Sequence, residues 1–161
     1  MSAVADTITY AERWSERRPD DFDELEPDEA RRRHDAGELY TAILGDREAP
    51  SAYLEIRLEA GFVGVHFLDE EGRDGVTYLF GRQDGEDQLF LERAIWREFG
   101  EDGEVRSGQV YAFKRTGTIC LEEKDYESRE ASRGEKQDDV SGNWEPVPEF
   151  GRYESIVRLE R

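Results

Sequence analysis

Cysteine is almost missing from this chain. Cys120 is the only one, so no internal disulfide can form and a reducing compartment is the default expectation. Histidine is nearly as scarce: His34 and His66 alone leave little material for nucleophilic or general-base catalysis. No apolar run approaches the roughly 20 residues that a membrane-spanning helix needs. The opening MSAVADTITYAERW also lacks the basic start and apolar run of a secretory signal. No phosphate-cradling glycine loop, zinc-ligand spacing or nucleophile elbow is present. These absences lead to the expectation of a cytoplasmic, non-enzymatic protein with no cofactor, no metal and no membrane partner.

Positive charge is also short. Forty acids stand against 22 bases, a net charge of −18. Repulsion on that scale favours solubility and disfavours direct contact with nucleic acid or anionic lipid. Its plainest role is solvation, and a salt-rich host selects the same excess. The 161 residues fit one domain, large enough to bury a core without disulfides or metal. Only 36% of them are hydrophobic, but the 18 aromatic residues fall in patterned runs, which argues for a folded chain.

Along the chain, residues 1–26 form an acidic segment with a possible short helix from Ile8 to Arg18. Residues 27–126 are the expected core. Pro27 suits a first helical position, Asp28 and Glu29 the first turn, Arg31 to His34 the last, and Gly37 the left-handed stop. Leu39–Leu44 then reads as a strand, although ELYTAIL would also prolong the helix. From there to Tyr126 apolar residues recur at period two, as in Leu54, Ile56 and Leu58, then Val63, Val65 and Phe67. In the long run Gln88–Phe99, strict alternation sets Leu89, Leu91, Ile95 and Phe99 on one side and Phe90, Ala94 and Trp96 on the other. Pairs such as Glu71-Gly72, Asp84-Gly85 and Asp102-Gly103 supply the positive φ of tight hairpins. Residues 127–142 are polar and read as a mobile loop. In 143–161, Trp144, Pro146, Pro148 and Phe150 suggest an aromatic strap docked on the sheet. The expected fold is α+β: one antiparallel meander of about seven strands, able to curl toward a barrel, with one or two N-terminal helices.

Individual residues carry little chemistry by spacing. His34 suits a helix end as a cation, His66 a half-buried strand position with a backbone or carboxylate partner, and Cys120 a packed thiol. Asp69–Gly75 lacks the alternating order of a calcium loop and reads as a turn. The Gly-x-Trp within Ser141–Trp144 is that of lipocalins, but it follows the meander instead of opening it. The placement of acids is more informative. In a meander alternate turns share an end, so the turns at 45–50, 69–75 and 100–104 fall together. They carry nine acids, among them Asp69, Glu70, Glu71, Asp74, Glu101, Asp102 and Glu104, against Arg47 and Arg73, a net −7. The turns at the other end sum to −1. A pole of that kind steers a basic partner.

A leading helix, an Asp-Gly-turned meander and an aromatic C-terminal strap together resemble the small acidic immunity proteins of bacterial toxin systems, over residues 27–159. The resemblance implies a tight protein inhibitor without catalysis. Tyr78-x-Phe80 before Asp84-Gly85, and Tyr111-x-Phe113 before Gly117, also resemble the hairpins of MORN-like antitoxin repeats. The spacing of Gly72, Gly85, Gly103 and Gly117 departs from a fixed period. The leading expectation is therefore a protein that neutralises a basic partner, a toxin or a nucleic-acid-binding enzyme. The alternative is a small-ligand binder whose curled sheet closes over a cavity lined by His66, Tyr78, Phe80, Phe90, Trp96, Tyr111 and Phe113.

Overall fold

The computed structural model describes residues 7–14 and 23–161. Strands β1 (Ile8–Ala11) and β2 (Glu24–Leu25) precede helix α1 (Pro27–Ala36). The meander follows as β3 (Tyr40–Gly45), β4 (Pro50–Arg57), β5 (Phe62–Leu68), β6 (Asp74–Gly81), β7 (Gln88–Phe99), β8 (Val105–Phe113) and β9 (Thr118–Asp125). β10 (Glu130–Gln137) and β11 (Trp144–Pro146) complete the described strands. All eleven belong to one antiparallel sheet in the order β10-β9-β8-β7-β6-β5-β4-β3-β1-β2, with β11 paired to β7. The sheet is open, so the expected curl does not close into a barrel, and one α-helix accompanies it among the described residues.

The seven strands from β3 to β9 are those read from period two, and Leu39–Leu44 resolves as strand because Gly37 ends the helix. Gly37 takes φ 76°, and the Glu38 N–H reaches back to Arg33 O at 2.8 Å, a closed helix terminus. Three expectations are corrected. Ile8–Ala11 is a strand on β3, with Tyr10 opposite Ala42, rather than the start of a helix; residues 15–18 of that expected helix lie outside the described residues. Residues 127–142 are not all loop: β10 pairs with β9 from Glu130↔Asp125 to Gln137↔Thr118. Every β10 side chain is exposed, so its backbone pairs while no buried face writes a hydrophobic period into the sequence. Third, β7 does not alternate strictly. Phe80 faces Leu91 and Leu79 faces Arg93, which leaves Glu92 as the extra residue of a bulge. Leu89, Leu91, Ala94 and Trp96 consequently share the core face, and Ile95 moves to the other.

Helix α1 covers little of the core face, since Ala30 is its one buried residue. The C-terminal segment covers a further part of it. Trp144 pairs with Phe90 across β11 and β7, and Tyr153 and Ile156 lie buried among Tyr40, Leu54, Tyr78 and Phe80. Glu145 is buried and meets the guanidinium groups of Arg158 and Arg161, the latter at 2.6 Å. The Tyr78 hydroxyl donates to Leu159 O. Cutting the chain after Asp139 removes these groups together and is expected to lower Tm by tens of degrees or prevent folding, checked by thermal unfolding. An unchanged Tm would mean that the sheet stands without its cover.

Two glycines separate backbone strain from crowding. Gly103 has φ 83° with open space around an added Cβ, whereas Gly61 has φ 63° and its Cβ would meet Arg82 O at 2.5 Å. Gly103→Ala is expected to destabilise by about 1 kcal/mol and Gly61→Ala by about twice that or more. Urea unfolding of both variants reads the difference, and equal losses would count against the crowding.

Candidate functional site

Two sets of side chains stand out, one on each face of the sheet. On the face away from the core, cross-strand register aligns Tyr53, His66, Thr77 and Ile95. His66 sits between two carboxylates. Nδ1 lies 2.6 Å from Asp74 Oδ2, in a hydrogen bond, and Nε2 lies 2.7 Å from Glu55 Oε1. The second contact is an ion pair without hydrogen-bond alignment. Thr77 donates to Asp74 Oδ1 at 2.7 Å, and Arg97 reaches Thr77 Oγ1 at 3.0 Å. Tyr53 lies flat on the imidazole, with ring centroids 4.3 Å apart and planes 4° from parallel. Burial opposes charge on His66, but Asp74 and then Glu55 outweigh it and raise its pKa to about 9. At neutral pH the ring is therefore an imidazolium over a phenol face, with no lone pair free to accept a proton.

The acidic end follows from the meander. Successive antiparallel pairing from β3 to β9 brings the turns after β3, β5 and β7 to one end of the sheet. Their acids do not play one part. Asp69 Oδ1 accepts from the Glu71 and Arg73 amides, both at 2.9 Å, and its other oxygen pairs with Arg73. Asp74 belongs to the His66 cluster, and Asp102 Oδ1 accepts from the Glu104 amide at 3.0 Å. These three hold backbone or neighbours in place. Glu70, Glu71, Glu101 and Glu104 are exposed, although Glu71 also meets Arg73, whose guanidinium lies 4.5 Å from the Phe99 ring centroid and ties two of the turns together. β10 alters the charge count at the opposite end, because Asp138 follows it there and donates to Gly117 O, with Asp139 next in sequence.

On the core face, beyond the cover of the C-terminal segment, an open groove of about 780 Å³ crosses β7 to β10 at the acidic end. Trp96 and Tyr111, edge to face at 5.5 Å, form its floor. Register puts Trp96, Gln109, Glu123 and Ser132 in one row and Glu98, Ser107, Asp125 and Glu130 in the next. Sequence reasoning missed Glu98, Glu123 and Glu130, because their alignment depends on β10.

The seven residues of the alternative cavity do not come together. Tyr78 and Phe80 are core residues, and Phe90 packs separately with Ile119, Val140 and Trp144. Phe113 touches both clusters, and Trp96 and Tyr111 alone line the groove. His66 is on the opposite face. The expected cavity is filled from within by Tyr153 and Ile156. Cys120 is half-buried with Sγ 3.9 Å from Glu135 Oε2, not packed in the core. His34 bonds Tyr40 Oη through Nδ1 at 2.8 Å, and burial lowers its pKa, so it is neutral at pH 7 instead of a cation on the helix end. Among the described residues no helix is long and apolar enough to cross a membrane, and no group of His, Cys, Asp and Glu side chains is arranged to hold a metal ion. The chain matches no family model, no curated protein and no solved structure. The functional argument therefore rests on the geometry of these surfaces.

The His66 cluster makes stability depend on pH with a definite sign. Its folded pKa of about 9 exceeds the ordinary 6.5, so its contribution is complete below about pH 6.5 and disappears as pH rises through 9. His66→Gln is expected to destabilise by about 2 kcal/mol near pH 6, and the gap from the native chain should close by about pH 10. Urea unfolding at the two pH values checks this; a constant gap would show that His66 acts by packing alone.

Proposed function

We propose that this chain is a non-enzymatic, immunity-type binding protein that neutralises a basic protein partner through the acidic end of its sheet. The observation that carries the reading is the gathering of exposed Glu70, Glu71, Glu101 and Glu104 on turns that the meander brings to one end. Acids in the same turns that would otherwise be free, Asp69, Asp74 and Asp102, fix the shape that displays them. A toxin or enzyme that acts on nucleic acid carries positive charge to meet phosphate, and an acidic surface of this kind competes for it. The immunity resemblance supports the same class of partner.

The test begins with capture of the partner by the full chain and its identification by mass spectrometry. The partner is expected to be basic. Replacing Glu70, Glu71, Glu101 and Glu104 with glutamine should slow association roughly tenfold at low salt and flatten its salt dependence, with less effect on dissociation. The control is Asp84→Asn with Asp87→Asn at the other end, where both side chains are exposed. Glu86 is unsuitable there because it pairs with Arg115 at 2.8 Å. Equal slowing by both sets of substitutions, or an acidic partner, would overturn the proposal.

A further inference from the structure

We infer that the groove on the core face receives an arginine side chain from an extended segment of the basic partner, with Trp96 and Tyr111 as the stacking floor and Glu98, Glu123 and Glu130 as the counter-charges. This rests on the proposed function for its partner and on separate observations for its site. The first is a contrast in pairing. Some carboxylates are met from within the chain: Glu29 by Arg32 and Arg33, Glu86 by Arg115, Glu145 by Arg158 and Arg161. No lysine or arginine among the described residues pairs with Glu98, Glu123 or Glu130. Two of them accept from neutral side chains: Ser107 donates to Glu98 at 3.1 Å and Gln109 to Glu123 at 3.3 Å. Two bases, Arg97 and Lys124, border the groove, but Arg97 is engaged by Thr77 and Asp74, and register sets Lys124 in the row of Gly108 and Ala131, not in the rows of the three glutamates. The groove therefore combines a half-exposed indole with carboxylates that pair with no cation among the described residues.

The second observation is shape. The groove reaches β10, whose eight residues are all exposed and whose far edge pairs with no described strand. It is thus open along the sheet edge, and an extended chain can cross it without entering a closed mouth. Arginine fits this chemistry better than lysine, since a planar guanidinium stacks on an aromatic face while its edge offers paired donors to a carboxylate. Asp125 is not counted among the counter-charges, because its side chain accepts from the Glu127 and Ser128 amides.

The experiment uses the full chain and a capped Gly-Arg-Thr-Arg-Gly peptide, with lysine and citrulline versions beside it. Binding is read by NMR shifts of the Trp96 indole and backbone amides. The arginine peptide should bind at least tenfold tighter than the citrulline peptide and shift Trp96 and residues of β8 to β10. Glu123→Gln with Glu130→Gln, both exposed and therefore safe for folding, should weaken it about tenfold. Citrulline binding as tight as arginine, or unchanged affinity in the double variant, would overturn the inference. Spermidine that displaces the peptide and binds more tightly would also overturn it, by making the groove a small-cation site. Once the partner is in hand, the double variant should speed its dissociation while association stays within twofold. Loss of the peptide effect with steering by the end turns retained refutes the groove alone. A partner that is not basic, with the peptide still bound, refutes the proposed function alone.

Discussion

The buried carboxylate of Glu145 governs how this sheet is covered. A sheet of this breadth has one apolar face far too wide for a ten-residue helix that buries only Ala30. The remaining cover comes from the end of the chain, and Glu145 fixes where that end lies. β11 holds Glu145 opposite Leu89 with only 4% of it exposed. A charge so placed is tolerable only when paired, so Arg158 and Arg161 must return to it. Their return lays the Arg161 guanidinium 4.8 Å from the Phe80 ring centroid and keeps Ile156 fully buried. The same closure fills the space that a ligand would need beneath Tyr78 and Phe80. It also stops short of Trp96 and Tyr111, which is why the groove exists at all.

The readable part of the fold was the part that buries an apolar row, on one face in most strands and on both in β3. β3 to β9 each carry an apolar row, and glycine turns such as Asp84-Gly85 and Asp102-Gly103 mark some of their ends. β10 was hidden because EASRGEKQ has no buried face; its order comes from backbone pairing with β9, which leaves no mark on side-chain choice. β1 was hidden for a different reason: four residues are too few to tell period two from the spacing of a short helix. The β7 bulge escaped because one extra residue, the charged Glu92, changes which face every later residue occupies. From Leu91 onward the strict pattern therefore gave Ile95 the place that belongs to Ala94.

The site shows the same division. A half-buried His66 with a backbone or carboxylate partner was legible from its strand position, with the choice between them left to the structure, and the sharing of an end by the three acidic turns was legible from strand order. What could not be read was which acids are spent. Asp69 and Asp102 lie in tight turns where a carboxylate accepts backbone N–H groups two residues on, and such a residue is structural whatever its charge. Asp74 is drawn out of the pole by His66. These distinctions depend on side-chain direction, whereas the groove carboxylates depend on a strand that has no periodic signal.

The net charge of −18 thus separates into populations that act over different distances. Paired acids such as Glu86 and Glu145 contribute to the fold and add little to the outer field, since each is neutralised locally. Exposed glutamates on the end turns act through solvent, over a range of about 8 Å at physiological salt, and in the proposed function they bias how often a basic partner arrives in the right orientation. Groove carboxylates beside Trp96 act only on contact, where an aromatic floor excludes water from one side and strengthens each charge-assisted hydrogen bond. In the proposed role the end-turn glutamates bear on the rate of arrival and the groove carboxylates on the length of stay. Solvation alone asks for neither arrangement, since charge spread evenly over both ends would keep the chain equally soluble. The excess of exposed acids at one end, and groove carboxylates that pair with no cation among the described residues, are the features that the proposed binding role would account for.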